Sequence, residues 1–362
     1  MTHSPPASRK LYFVNPVVDY AMIGAASLVI FLLLRVFASD ERTPQAITLA
    51  LQLSWICNWP HFSATNYRLN HARANIDQYP MTALLVPLAV IAGACGSFAS
   101  PLLMAPAFVK LVSLWSPYHF SGQTFGICMI YARRAGIQFG RRERFFLVSF
   151  IFATFIHQTV GFETGDQNFD MHGIGYPSLG LPPWLSSVTL LWMTGTGLGL
   201  ILLIGRWCIR NGRMIPPIVL LPALAQFVWF VPIASWRSFN EFVPFFHSLQ
   251  YLLIAWSMQL KEKLDRTKAA PSRGYVVAES SRWGALNFIG GALLFYGIPR
   301  FVSGSGISLE FATGVVISAV QIHHFFVDGV IWKLERQSVS SPLMVNLDDM
   351  IKGTPTPTAA PA

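Results

Sequence analysis

The 362 residues are 53% hydrophobic, 14% aromatic and only 12% charged, and mean hydropathy is +0.46. Soluble proteins carry roughly 25% charged residues, so these values exclude a disordered chain, a coiled coil and an ordinary soluble enzyme. The formal net charge of +9 has to be placed relative to a membrane before nucleic acid is considered, and the loops account for it with no nucleic acid as partner.

The sequence predicts an all-α fold, a polytopic transmembrane helical bundle of about ten spans. The transmembrane domain is 19–335, preceded by a cytoplasmic N-terminal segment 1–18 and followed by a cytoplasmic, disordered tail 336–362 whose end is Thr, Pro and Ala. A span needs about 20 apolar residues. In chain order the spans are Asp19–Ala38, Ala46–Phe62, Met81–Phe98, Leu103–Tyr131, Arg144–Phe162, Trp184–Gly205, Met214–Ser235, Glu241–Leu260, Trp283–Pro299 and Leu309–Leu334. Arg9 and Lys10 precede the first, which is too long for a signal-peptide core and reads as a retained anchor.

The loops alternate in charge. Arg68 and Arg73 follow span two, Arg133, Arg134, Arg141 and Arg142 span four, and Arg206, Arg210 and Arg213 span six. Lys261, Lys263, Arg266, Lys268 and Arg273 follow span eight, and Lys333 and Arg336 close span ten. Loops of the other parity are poor in Lys and Arg, and the one after span five carries Glu163, Asp166 and Asp170. The positive-inside rule then places both termini in the cytoplasm, with the basic face on anionic headgroups of the cytoplasmic membrane. The four cysteines form no CxxC pair, and there is no Walker A, no GxGxxG opening a helix, no CxxCH and no internal repeat.

Six of the nine histidines fall within spans: His61, His119, His157, His247, His323 and His324. Ionisable side chains at membrane depth are costly and mark functional paths or sites. At 1.5 Å per residue from the basic end of each span, these histidines lie about 10–21 Å deep. They form one layer from the cytoplasmic half to the midplane. Residues four apart share a helix face. Thr65 follows His61, Gln123 follows His119, Tyr251 follows His247 and Asp328 follows His324 at that spacing, whereas Gly161 follows His157. Such a neighbour is expected to hold the second ring nitrogen of a metal-bound histidine. Imidazole without thiolate suits iron, copper or zinc, and two facing histidines suit haem.

Four strings occur in order: Trp59-Pro60-His61-Phe62, Tyr118-His119-Phe120-Ser121-Gly122, Phe246-His247-Ser248 and His323-His324-Phe325-Phe326-Val327-Asp328. They resemble the histidine motifs of the Brp/Blh-like family of bacterial and archaeal membrane β-carotene 15,15′-dioxygenases. The resemblance implies non-haem Fe(II) held by His61, His119, His247 and His323, with dioxygen and an apolar polyene entering from the lipid bilayer. It covers only these strings. Tyr251 stands where the family has the second histidine of His-x-x-x-His, and Thr65 where it has an acid. His157 or His324 is available to complete the set.

Gly122 and Gly126 are expected to let two helices approach closely, with room for substrate as the alternative. Phe245, Phe246 and Trp256 surround His247 in sequence and are candidates for an apolar pocket. Two function classes follow from these residues. One is an intramembrane iron oxygenase acting on a carotenoid or other lipid-soluble substrate. The other is a multi-pass transporter or a haem- or quinone-binding electron-transfer subunit.

Overall fold

The computed structural model describes residues 11–37, 43–71, 73–165, 170–231, 239, 241–267, 272–332 and 343. Most of the expected N-terminal segment and tail, with Lys333 and Arg336, lies outside the described residues. The described chain is almost entirely helical. Its one sheet is a two-stranded antiparallel hairpin, β1 (Asp170–Met171) and β2 (Ile174–Gly175).

Asn15 caps α1 (Pro16–Tyr20) by accepting from the Val18 N–H, with Pro16 at the first helical position, where a missing N–H costs nothing. A π-helical turn, Ala21–Ala25, leads into α2 (Ala26–Phe37). Then follow α3 (Thr43–Ile56), α4 (Asn58–Asn70), α5 (Arg73–Gln78), α6 (Val86–Ala99), α7 (Met104–Arg134), α8 (Arg141–Phe162) and α9 (Trp184–Asn211). Gly212, at φ +60°, ends α9 in the left-handed conformation that favours glycine. The remainder is α10 (Leu221–Phe230), α11 (Val243–Thr267), α12 (Arg273–Ala292), α13 (Ile298–Ser303) and α14 (Leu309–Ile331).

Among the described residues, six helical stretches are long and apolar enough to cross a membrane: Pro16–Val36, Met81–Ala99, Arg141–Phe162, Trp184–Asn211, Arg273–Ser303 and Leu309–Ile331. Their outer faces are apolar and exposed; on α9, Leu191, Leu198, Ile201 and Leu202 are 58–74% exposed, as a lipid-facing helix requires. Expected spans 46–62, 103–131, 214–235 and 241–260 fall elsewhere. The first is broken at Cys57 between α3 and α4, and α4 carries Asn58, His61, Ser63, Thr65 and Asn66. On α7, His119, Ser121, Gln123 and Thr124 dilute the hydropathy, and α11 ends in charged residues. The ten residues of α10 reach only about 15 Å, and residues 232–235 of that expected span lie outside the described residues.

The polar groups of these less apolar helices point inward and find one another. Gln226 Nε2 lies 2.9 Å from Ser121 Oγ, 2.9 Å from the Ile151 carbonyl and 3.0 Å from Thr154 Oγ1, tying α10 to α7 and α8. Gln250 donates to the Ile23 carbonyl at 2.6 Å. Gly291 on α12 lies against the backbone of α4, where a Cβ would be 2.5 Å from the Trp59 carbonyl carbon and 2.9 Å from Pro60 N. No larger residue allows that approach, and it fixes α4 just ahead of His61.

At the far end of α7, Arg134 is 2% exposed. Its guanidinium donates to the carbonyls of Leu11 (2.9 Å), Tyr12 (2.6 Å) and Leu343 (2.7 Å) and stacks over Phe13. Asp19, fully buried, accepts from the N–H groups of Phe13, Val14 and Asn15 and from the Tyr131 hydroxyl. One guanidinium therefore gathers segments from near both ends of the chain.

Glu163, just beyond α8, organises the loop that follows. Its carboxylate accepts from Lys110 (2.5 Å), the Leu179 N–H (2.9 Å) and the Tyr176 hydroxyl. Burial raises its pKa, but Lys110, Tyr176 and Leu179 outweigh burial and hold it below the usual carboxylate range. A carboxyl that ionises more readily folded than unfolded stabilises the fold above the ordinary carboxylate pKa and loses that contribution as pH falls through its lowered native value. Loop proteolysis is therefore expected to rise on acidification below about pH 4.5. Glu163→Gln, measured by the same digestion, raises cleavage at neutral pH and flattens the acid response.

Candidate metal centre

Four helices each deliver one histidine to a common point: His61 from α4, His119 from α7, His247 from α11 and His324 from α14. One ring nitrogen from each lies within 4.8 Å of the others. Ring centroids are 4.5 Å apart for His61–His324, 4.8 Å for His119–His324, and 5.1 Å for His61–His247 and His119–His247. Local sequence aids this placement. Pro60 and Pro117 lie one and two residues ahead of His61 and His119; Pro117 lacks the N–H that would continue the helical ladder of α7 there.

The hydrogen bonding is incomplete in an informative way. His61 Nδ1 is 2.9 Å from Ser248 Oγ, whose hydroxyl lies 2.8 Å from Asn58 Oδ1 and 2.7 Å from the Pro244 carbonyl. With the hydroxyl donating to one of these acceptors, Nδ1–H donates to Ser248, and Nε2 keeps its lone pair. His61 Nε2, both nitrogens of His247 and His324 Nδ1 are buried with no hydrogen-bond partner among the described residues. Buried polar groups without partners are uncommon and costly. The Nε2 atoms of His119 and His324 are 3.1 Å apart. Asp328 Oδ2 reaches both, at 3.6 Å and 3.4 Å, and Oδ1 lies 3.2 Å from both Thr65 Oγ1 and Trp332 Nε1.

Not every expected residue joins this group. His323 does not, and His324 stands in its place. Consecutive helical residues are about 100° apart, so only one of the pair faces inward, and it is the one that shares its face with Asp328. His157 pairs with Thr189 at 2.9 Å, between α8 and α9. Among the four i+4 neighbours, only Asp328 approaches the ring of its own histidine. Thr65 bonds the Tyr251 hydroxyl at 2.6 Å. Tyr251 stacks on His61, with centroids 4.2 Å apart. Gln123 donates to the His247 carbonyl at 3.0 Å and lies 3.3 Å from Gln250 Oε1. The rings reach sideways to other helices, beyond what one-helix spacing encodes. Ser248 and Asn58 were not anticipated; Ser248 follows His247 directly but serves His61.

Two cavities adjoin the histidines. The first, about 300 Å³, is lined by Trp115, Ile127, Ile254, Phe325 and Trp332, by the polar side chains of Gln123, Tyr251 and Asp328, and by Gly122, Gly126 and Gly329. A Cβ at any of the three glycines would meet nothing within 4 Å. Gly122 and Gly126 thus leave space and make no close helix contact, contrary to the expectation for them. The aromatic residues expected around His247 do not line it: Phe246 packs with Phe239 and Phe242, and Trp256 donates to Ser280. The second cavity, about 250 Å³, is lined by all four histidines with Asn58, Ser116, Gln158 and Gln321.

Two ligands of one ion at about 2.2 Å can be at most about 4.4 Å apart, so closure of the set by about half an ångström completes a site. Four imidazoles from four helices, with unpartnered nitrogens on three of them among the described residues, fit a first-row transition metal. In comparisons with known proteins, no family model, no curated protein and no solved structure matches the chain.

Proposed function

We propose that the chain is an integral protein of the cytoplasmic membrane, with about ten spans and both termini cytoplasmic, and that His61, His119, His247 and His324 hold a non-haem Fe(II). We further propose that it is an oxygenase of a carotenoid or other lipid-soluble substrate. The observation that carries the reading is the meeting of four histidines from four helices with His61 Nε2 and both His247 nitrogens unpartnered. The resemblance of the histidine strings to the Brp/Blh-like family supports it. Four rings at mutual centroid distances near 5 Å leave no gap for a porphyrin, which weighs against haem.

When bound, the iron supplies dioxygen activation. The chain's residues do the rest. Ser248 holds the His61 tautomer, and Asp328, fixed by Thr65 and Trp332, sets His119 and His324. The bundle keeps bulk water from the histidines. The first cavity takes the apolar substrate. Gly122 and Gly329, both exposed, open it sideways toward lipid.

The test is metal analysis of the purified chain after anaerobic loading. One equivalent of iron per chain is expected, and the absence of iron and of every other transition metal sinks the reading. A second expectation concerns the cavity. Gly126→Leu adds a side chain into empty space, so the protein folds and loads iron as before. Binding of a fluorescent polyene such as parinaric acid weakens by about tenfold or more, equivalent to about 1.4 kcal/mol, read by fluorescence titration.

A further inference from the structure

A carboxylate that serves a metal-bound imidazole from outside takes the N–H of the ring nitrogen turned away from the ion. Asp328 is placed differently. Its Oδ2 faces the Nε2 atoms of His119 and His324 at 3.6 Å and 3.4 Å, and those two nitrogens face each other at 3.1 Å. Both carboxylate distances are longer than the roughly 2.7–3.2 Å of an N–H···O hydrogen bond. They match the spacing of neighbouring ligands on one ion. With bonds of about 2.1–2.2 Å, ligands between right-angled and tetrahedral lie about 3.0–3.6 Å apart. A circle through three points separated by 3.1, 3.4 and 3.6 Å has a radius of about 2.0 Å. An ion at bonding distance therefore fits just off the plane of the three atoms with no movement of the chain. The four-histidine set, spread over 4.8 Å, needs closure.

Sequence and packing hold the carboxylate in this pose. His324 and Asp328 share a face of α14, and Trp332 follows one turn on. Trp332 Nε1 and Thr65 Oγ1 both lie 3.2 Å from Oδ1. One oxygen is thus taken by neighbouring donors and the other is directed at two imidazoles, as in a carboxylate that binds a metal through a single oxygen. The Asp328 side chain is 6% exposed, and its ion pairs among the described residues are with these two histidines. A carboxylate this deep in an apolar bundle needs a counter-charge, which a divalent ion between the three atoms supplies.

We propose that Asp328 is itself a metal ligand. Its Oδ2, with His119 Nε2 and His324 Nε2, forms a preformed two-histidine, one-carboxylate face, and His61 and His247 complete the set. This rests on the metal-centre reading and deepens it. Asp328 then sets the two rings through the ion they share. Two imidazoles and one carboxylate on one face are the donor set of non-haem Fe(II) oxygenases. His119 and Asp328 both line the first cavity, so the ion borders the space proposed for the substrate.

The test is a thiolate at the same position, in the purified full-length chain. Asp328→Cys loaded with Co(II) is expected to show a sulfur-to-metal charge-transfer band in the near ultraviolet that Co(II)-loaded wild type lacks, because a thiolate gives that band only as a ligand. Asp328→Asn keeps the shape without the charge. It is expected to lower iron affinity by more than about 100-fold, beyond what an outer partner is worth, and Asp328→Glu to recover about tenfold or more of that loss. A missing band, or an Asp328→Asn chain that binds iron within about tenfold of wild type, overturns the assignment. Should the variants misfold, the structure of the iron-loaded wild type decides: Oδ2 is expected about 2.0–2.2 Å from the ion, and a separation above about 3 Å overturns the ligand. A wild-type chain that takes up no metal sinks the metal-centre reading and this proposal with it. One that loads a full equivalent while Asp328 fails these tests sinks only this proposal.

Discussion

Replacing His247 with alanine is expected to lower iron affinity by more than about 100-fold, since loss of an outer hydrogen-bond partner alone costs 10–100-fold and this change removes a proposed ligand. Metal content after anaerobic loading measures it. The same change in the metal-free chain has the opposite sign or none. His247 is buried with both nitrogens unpartnered among the described residues, and such a group costs about 1–3 kcal/mol. Alanine leaves space but removes that cost, so the metal-free variant unfolds at or above the wild-type temperature. A merely structural histidine shows the reverse. His323→Ala and His157→Ala serve as contrasts: both lie outside the four-histidine group, and both are expected to retain a full equivalent of iron. Loss of metal from His323→Ala with retention by His324→Ala overturns the assignment of the inward face on α14.

Arg134→Ala is expected to cost about 3 kcal/mol or more. The guanidinium makes charge-assisted bonds to three backbone carbonyls, from Leu11, Tyr12 and Leu343, and lies over the Phe13 ring. Asp19 holds the same segment through the N–H groups of Phe13, Val14 and Asn15. A several-degree fall in the unfolding temperature in detergent, with faster proteolysis ahead of α1, is the readout. Arg134→Lys rescues little, because one ammonium cannot span three carbonyls set around a planar fork. Wild-type resistance to cleavage ahead of α1 in the alanine variant overturns the clamp.

Much of the helical architecture was legible because apolar length is a strong signal. Pro16–Val36, Met81–Ala99, Arg141–Phe162, Trp184–Asn211 and Leu309–Ile331 each overlap an expected span. The ninth came out too short at its start: α12 begins at Arg273, ahead of Glu279 and Arg282, whose charges pair with each other and so hid the helix from a hydropathy reading. The inner helices α4, α7 and α11 were legible as apolar runs but not as carriers of an interior polar network, since the partner of each polar group sits on another helix. Of the histidines in the expected layer, His61, His119 and His247 meet at one point in the structure. The choice between His323 and His324 was not legible from depth, because adjacent residues have the same depth and differ only in azimuth. Asp328 four residues after His324 carried that azimuth. Arg134 looked like one more basic loop residue; nothing in a string of cationic side chains marks the one that turns inward.

The four histidines are spaced along the chain from residue 61 to residue 324. Synthesis delivers them in that order, and the last arrives on α14, the final long helix described. Asp328, which lies beside two of the rings, comes later still. A chain stalled before that point has inserted most of its helices and buried most of its apolar surface, yet it lacks both a proposed ligand and the carboxylate. Under the proposed metal centre, metal loading would act as a completion signal: it would report on every contributing helix at once, and a product truncated before α14 would lack one of the four proposed histidine ligands.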